Sequence, residues 1–206
     1  MTQLSEQDKA RITAAIHAAE QRTSGEFVAM LAQSSDHYIF LPLLWAALLA
    51  LILPGILLLA AAPLTFVEIY HLQLLCFIVL ALLFLFVPGL HLKLVPQSVK
   101  HARASRLARA QFYQQGVHMT GEHSGVLLFV SLAEHYVEIV ADKGIHEKLG
   151  EAHWQGIVDD FIVEVRRGRI ADGFVKAITA CGESMAQHYP KRANDRDELS
   201  DGLIEI

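Results

Sequence analysis

Apolar and polar positions divide the chain into three stretches. Residues 39–64 (IFLPLLWAALLALILPGILLLAAAPL) and 72–92 (LQLLCFIVLALLFLFVPGLHL) carry no formal charge, and only residues 65–71 separate them. A helix rises about 1.5 Å per residue, so each run is long enough for a hydrocarbon core of roughly 30 Å. The pattern predicts a two-helix transmembrane hairpin over residues 38–96, with spans at 39–64 and 72–92. A buried hairpin in a soluble core is the competing reading, but no other part of the chain is large enough to cover both helices all round. Each span holds a Pro-Gly pair, Pro54-Gly55 and Pro88-Gly89. Pro54 lacks the N–H for a bond to Ala50, which predicts a kink. Paired broken helices also occur at transporter sites, but these spans carry no ionisable residue at mid-depth and two helices enclose no pathway.

Outside the hairpin the periodicities are those of a soluble domain. Leu4-Ser5-Glu6-Gln7-Asp8 reads as a helix start, with Ser5 as N-cap and Leu4 as hydrophobic staple, and Ile12, Ile16 and Ala19 follow at helical spacing. Thr23-Ser24-Gly25 breaks that helix, and residues 26–32 (EFVAMLA) read as a short, mostly buried strand. Residues 98–115 predict a helix whose narrow apolar face is Ala104, Leu107, Ala108 and Phe112. Two strands follow at 125–130 and 136–141, joined by a connector of hairpin length; the first is nearly all apolar and so central, while the second sets Val137 and Ile139 against Glu138. A helix over 151–166 has Trp154, Ile157, Val158, Phe161 and Val165 as its core face, and one over 171–188 has Phe174, Ile178, Cys181 and Met185. Residues 191–206, after Pro190, read as a polar, poorly ordered tail. The expected fold class is α+β: a small β-sheet with packed helices, built from residues 1–37 and 97–190 and interrupted by the hairpin.

Composition sharpens this picture. The chain has 206 residues, 53% of them hydrophobic, with a mean hydropathy of +0.34, and the apolar excess sits in the hairpin. Lys93, Lys100, Arg103, Arg106 and Arg109 follow the second run, whereas the connector holds only Glu68 and His71. The positive-inside rule therefore predicts a multi-pass protein of the inner (plasma) membrane with both termini cytoplasmic. Residues 1–20 lack the basic start and apolar region of a signal peptide, so the hairpin itself is expected to direct insertion. Two cysteines, Cys76 and Cys181, imply no disulfide framework and suit a reducing compartment. The net charge of −5 is divided unevenly, basic beside the membrane and acidic elsewhere. That distribution favours a lipid bilayer over nucleic acid, with Lys100, Arg103, Arg106 and Arg109 as headgroup contacts. His91 near the interface reads as a further headgroup contact, Trp45 and Tyr70 as anchors, and Ala46, Ala47 and Ala50 as a face for a homo-oligomer.

Candidate chemistry is sparse. His146 and His153, with Asp142 and Glu147, are ligand types suited to a transition metal, but their spacing matches no known metal pattern. Asp159 and Asp160 lie about 100° apart on a helix and do not form a paired-carboxylate catalyst. Nothing resembles a phosphate-cradling loop, a nucleophile elbow or a catalytic triad.

The phrases TSGEFVAML and HSGVLLFVSLAEHYVEIVADKGI, with the order helix, strand, helix, β-hairpin, helix, helix, resemble the TPM-domain family over about residues 5–37 and 98–189. That family includes thylakoid-lumen proteins linked to photosystem II repair, an animal receptor modulator and many bacterial membrane proteins. The chain looks like the bacterial subgroup in which a membrane hairpin interrupts the domain. The resemblance implies a compact fold with helices on a small sheet, Ca²⁺ or another divalent metal as cofactor in some members, and weak acid-phosphatase activity in a few. Many members carry a Gly-Tyr-Gly-Leu-Glu turn after the second hairpin strand, and the matching positions here are Asp142, Lys143, Gly144, Ile145 and His146. Gly144 is kept, Asp142 supplies a carboxylate, and His146 stands where the motif has glutamate, with Glu147 beside it. By that resemblance Asp142, His146, Glu147 and Glu26 are the candidate metal ligands, although a calcium cage of six to eight oxygens is ill served by them. The functional expectation is a membrane-anchored cytoplasmic TPM-like domain that acts as a protein-interaction or complex-maintenance module on a membrane-protein partner. The alternative is a weak metal-dependent acid phosphatase.

Overall fold

The computed structural model describes residues 4–87, 89–120, 123–192, 199–200 and 202–206. In chain order the elements are α1 (Glu6–Glu20), β1 (Glu26–Ala32), α2 (Phe40–Leu59), α3 (Phe66–Phe86), α4 (Leu90–Lys93), α5 (Gln97–Gln114), a 3-10 turn (Val117–Met119), β2 (Gly125–Ser131), β3 (Tyr136–Ala141), α6 (Lys143–Leu149), α7 (Glu151–Arg166), α8 (Ile170–Ala186) and β4 (Ile204–Glu205). They form two compact units, Met1–Ser35 with His101–Ile206, and Asp36–Lys100.

The first unit is an α+β domain on a four-stranded sheet of order β3-β2-β1-β4. β1 runs parallel to β2 and to β4, and β2 runs antiparallel to β3. All seven residues of both β1 and β2 are buried, because the pleat sends alternate side chains into two separate cores. Phe27, Ala29, Leu31, Val126, Leu128 and Val130 pack with α1, α7 and α8, including Ile12, Ile16, Phe161 and Phe174. On the other face Val28, Met30, Leu127 and Phe129 meet Ala104, Ala108 and Phe112 of α5. Burial of each such side chain contributes roughly 1.5–3 kcal/mol, so the sheet is fixed from both sides. The expected N-cap of α1 is present: Ser5 Oγ accepts the Asp8 N–H at 3.1 Å, and the Asp8 carboxylate accepts the Ser5 N–H at 3.3 Å.

Three sequence expectations need correction in this unit. The tail expected to be poorly ordered ends in a strand: Ile204 and Glu205 pair with Met30 and Leu31, and the Gln33 N–H donates to Ile206 O at 2.8 Å. Leu203 packs on one core and Ile204 on the other, which is the alternation a strand requires. Residues 193–198 and 201 of that tail lie outside the described residues. The stretch after β3, expected as an open turn, is helix α6, with Asp142 as its N-cap. The last long helix begins one residue before the expected start and ends at Ala186.

The second unit is a helical hairpin. The second helix starts at Phe66, not near residue 72, because Thr65 and Glu68 form a capping box that converts most of the expected connector into its first turn. It ends at Phe86, and Gly89, at φ 74°, caps the separate short helix α4. Pro88, the other half of the second Pro-Gly pair, lies outside the described residues, as does the side chain of His91. Helix α2 continues through Pro54. Both α2 and α3 are long and apolar enough to cross a membrane, and their apolar windows are only 22% and 11% buried. Ala46 is buried against Ala81 and Phe84, so part of the small-residue face expected to serve a second copy is spent on contact between α2 and α3. The Trp45 indole N–H donates to Leu94 O at 3.1 Å.

Candidate functional site: a groove along the β3 edge of the sheet

The strand order leaves β3 at one rim of the sheet, and a groove of about 710 Å³ runs along it. Its floor is the whole of β3. One wall is α7, presenting Trp154, Val158 and Ile162, and the other is α5, presenting His101, Arg109 and Tyr113. Asp142 and His146 stand at the end of the groove formed by α6.

The main chain of the floor is set by the pairing of β3 with β2. Gly125 and Asp142 are opposite each other and the Asp142 N–H donates to Gly125 O at 2.9 Å, so by antiparallel alternation Val140, Glu138 and Tyr136 also bond inward. Val137, Ile139 and Ala141 therefore direct their N–H and C=O groups outward along the rim.

The α5 wall brings one cation to the groove, Arg109; Lys100, Arg103 and Arg106 recur along the same helix, which contains no acidic residue, but do not line the groove. Arg109 Nε lies 4.0 Å from Glu138 Oε1 with most of its side chain exposed, an ion pair weak enough to exchange for another partner. His101 packs its ring at 5.2 Å from Tyr136, whose hydroxyl donates to Glu138 at 2.9 Å. Burial is the main reason that the Tyr136 phenol is pushed up to about 12, so it stays protonated as a donor. The other basic residues expected at headgroups differ in setting: Arg106 is exposed, Arg103 and Lys100 half-buried. On the α7 wall Trp154 is 5% exposed, and its indole N–H has no acceptor among the described residues.

The four candidate metal ligands occupy separate places. Glu26, Gly125 and Asp142 form one row across β1, β2 and β3, which sets the Glu26 and Asp142 backbones about 10 Å apart. A Cβ on Gly125 would collide with the Val117 carbonyl and side chain, so main chain of the 3-10 turn lies over the middle of that row. Glu26 is buried, while Asp142 caps α6 through the Lys143 N–H at 2.6 Å and faces His123 Nδ1 at 3.4 Å. His146 follows one turn later and is exposed; Glu147 turns toward Lys143 at 3.7 Å. Among the described residues no three His, Cys, Asp or Glu side chains converge as a metal site, so this donor set does not fit a Ca²⁺ cage. Gly144 has a packing role: a Cβ there would press on His123 O and the Tyr189 hydroxyl.

Two polar clusters were missed in the sequence. The buried Glu134 carboxylate accepts from Ser34 Oγ at 3.2 Å, from the Ser35 N–H at 2.9 Å and from Ser131 Oγ. Glu164, 2% exposed on α7, meets Lys176, Arg169 at 2.5 Å and Arg167 at 3.6 Å. Lys176 first, and then Arg169, hold its carboxyl below the usual range. A polar residue within an apolar helix face is the one sequence signal that marks Glu164.

Residues 92–184 match the family model of the TPM domain. No curated protein matches the chain. Among solved structures the chain is similar to the NMR structure of BA42 protein from the psychrophilic bacterium Bizionia argentinensis, with a TM-score of 0.63 and 18% identity over 100% of this chain and 97% of that one. At that identity the likeness is one of fold, and it supports the α+β architecture.

Proposed function

Taking residues 92–184 as a TPM domain, we propose that the chain is a membrane-anchored domain that docks a partner protein in the groove along β3. The observation that carries this reading is the rim of β3, flanked by the apolar residues of α7 and by Arg109 of α5. Natural sheets cover or blunt such rims unless something else pairs with them. α2 and α3 anchor the domain in the plasma membrane, and the basic residues from Lys93 to Arg109 keep both termini on the cytoplasmic side. The partner on this reading is a membrane protein or a component of a membrane complex. The test places a photo-crosslinking residue in the groove at Tyr113 or Gln155, and a control at the exposed Thr179 on α8, in the full chain in native membranes. A discrete adduct from the groove sites, absent from the control and weakened by Arg109→Glu, supports docking; equal labelling from all three sites overturns it.

The second reading is hydrolysis of a phosphate ester at the α6 end of the groove. It is favoured by Asp142 and His146 sharing that wall one helical turn apart. Unchanged turnover of a phosphate ester after Asp142→Ala and His146→Ala removes it.

A further inference from the structure

We infer that the groove takes an extended segment of its partner as a fifth strand on β3, with apolar residues toward α7 and acidic residues toward α5. This rests on the docking role proposed above and states its chemistry. The outward N–H and C=O groups of Val137, Ile139 and Ala141 are complementary to the main chain of another strand and to little else. A strand added at about 4.8 Å from β3 sends alternate side chains to opposite faces, and here the two faces meet unlike walls. One row meets Trp154, Val158 and Ile162; the other meets Arg109, the cation that α5 brings to the groove, with His101 and Tyr113 beside it. Helices stand on both sides of the rim, so a peptide segment fits where the edge of a second folded copy would bring its own helices against α5 and α7. The loose Arg109–Glu138 pair gives way readily to an incoming carboxylate.

The experiment uses the full chain in detergent micelles and a fluorescein-labelled peptide of about eight residues alternating valine and glutamate, read by anisotropy. Two N-methylated forms of the peptide are compared, one methylated on the valine amides and one on the glutamate amides. A strand has one amide row toward β3 and the other toward solvent, so one form should lose about tenfold or more in affinity while the other binds as the parent does. Which form survives gives the strand direction. A valine-lysine peptide should bind about tenfold more weakly, and Arg109→Glu should reverse that preference. Ile139→Pro removes an outward N–H without breaking a bond to β2 and should abolish binding; Arg109→Glu decides the matter if that variant does not fold. Equal binding of both N-methylated forms, or of the valine-glutamate and valine-lysine peptides, overturns the inference. If groove adducts still form in membranes in that case, docking stands and only its strand geometry falls; if they too are missing, both fall.

Discussion

The carboxylate of Glu134 accepts the main-chain N–H of Ser35 at 2.9 Å, tying the β2–β3 connector to the point where β1 has ended. Ser131 Oγ donates to the same carboxylate, and Ser35 Oγ donates to Ser131 Oγ at 2.8 Å. Hydrogen bonds to a charged group are worth about 1.5–3 kcal/mol each, and Ala leaves the buried Ser131 hydroxyl and the half-buried Ser35 N–H without that acceptor. Glu134→Ala should therefore cost about 2–4 kcal/mol in urea unfolding of the full chain, whereas substitution of the exposed Glu183 should change little.

The Val117 carbonyl occupies the space that a side chain on Gly125 would need. Backbone yields less than a flexible side-chain end, so Gly125→Ala should destabilise by about 1–3 kcal/mol, seen as a lower Tm. An unchanged Tm would mean that the 3-10 turn lifts freely from β2.

Acid should weaken the α7–α8 pairing through Glu164. Its folded value is depressed, so its contribution is fully present above the unfolded value of about 4.3 and is lost as pH falls through the folded value. Glu164→Gln should lower the Tm at neutral pH, and the gap to the parent should begin to narrow as pH falls below about 4.3 and close only below the depressed folded value. A gap that is constant with pH would show that the carboxylate charge is not what Lys176 and Arg169 answer.

Cysteine labelling tests the anchoring. In a Cys76→Ser background, Cys181 stays silent because burial pushes its thiol up to about 12. A cysteine introduced at Ala62, between α2 and α3, should react with an impermeant maleimide in intact cells, and one at Arg106 only after permeabilisation. The opposite pattern would invert the topology.

Removing residues 202–206 should unprotect the Gln33 amide in hydrogen exchange, since its acceptor is Ile206 O, while the Val28 amide in the middle of the sheet stays protected. A Gln33 amide equally slow in both forms would deny β4 its place.

Much of the domain was legible in local pattern. The Ser5–Asp8 cap, the seven residues of β1 and the faces of α7 and α8 follow from signals a few residues long, and Phe174, Ile178, Cys181 and Met185 are all buried as the spacing predicts. Helix α6 was hidden because only Ile145 of its seven residues is buried, which leaves no periodicity to read. β4 was hidden because a two-residue strand exists only through its partner. The groove was beyond local pattern altogether: it depends on which strand ends at the rim, and no stretch of sequence states strand order. Arg109 was singled out by the basic repeat, but its position beside Glu138 follows from α5 crossing the sheet.

The chain enters its apolar hairpin after β1 and leaves it before β2, the strand that β1 pairs with in parallel along its full length. With α2 and α3 in a bilayer, a nascent chain holds a finished but unpaired apolar strand until the second crossing returns the chain to the side it left. A chain whose α3 failed to cross would place β1 and β2 on opposite sides of the membrane, with neither able to bury its seven residues. On the anchoring proposed above, closure of the sheet would therefore require that both helices had crossed, since only then do β1 and β2 lie on one side.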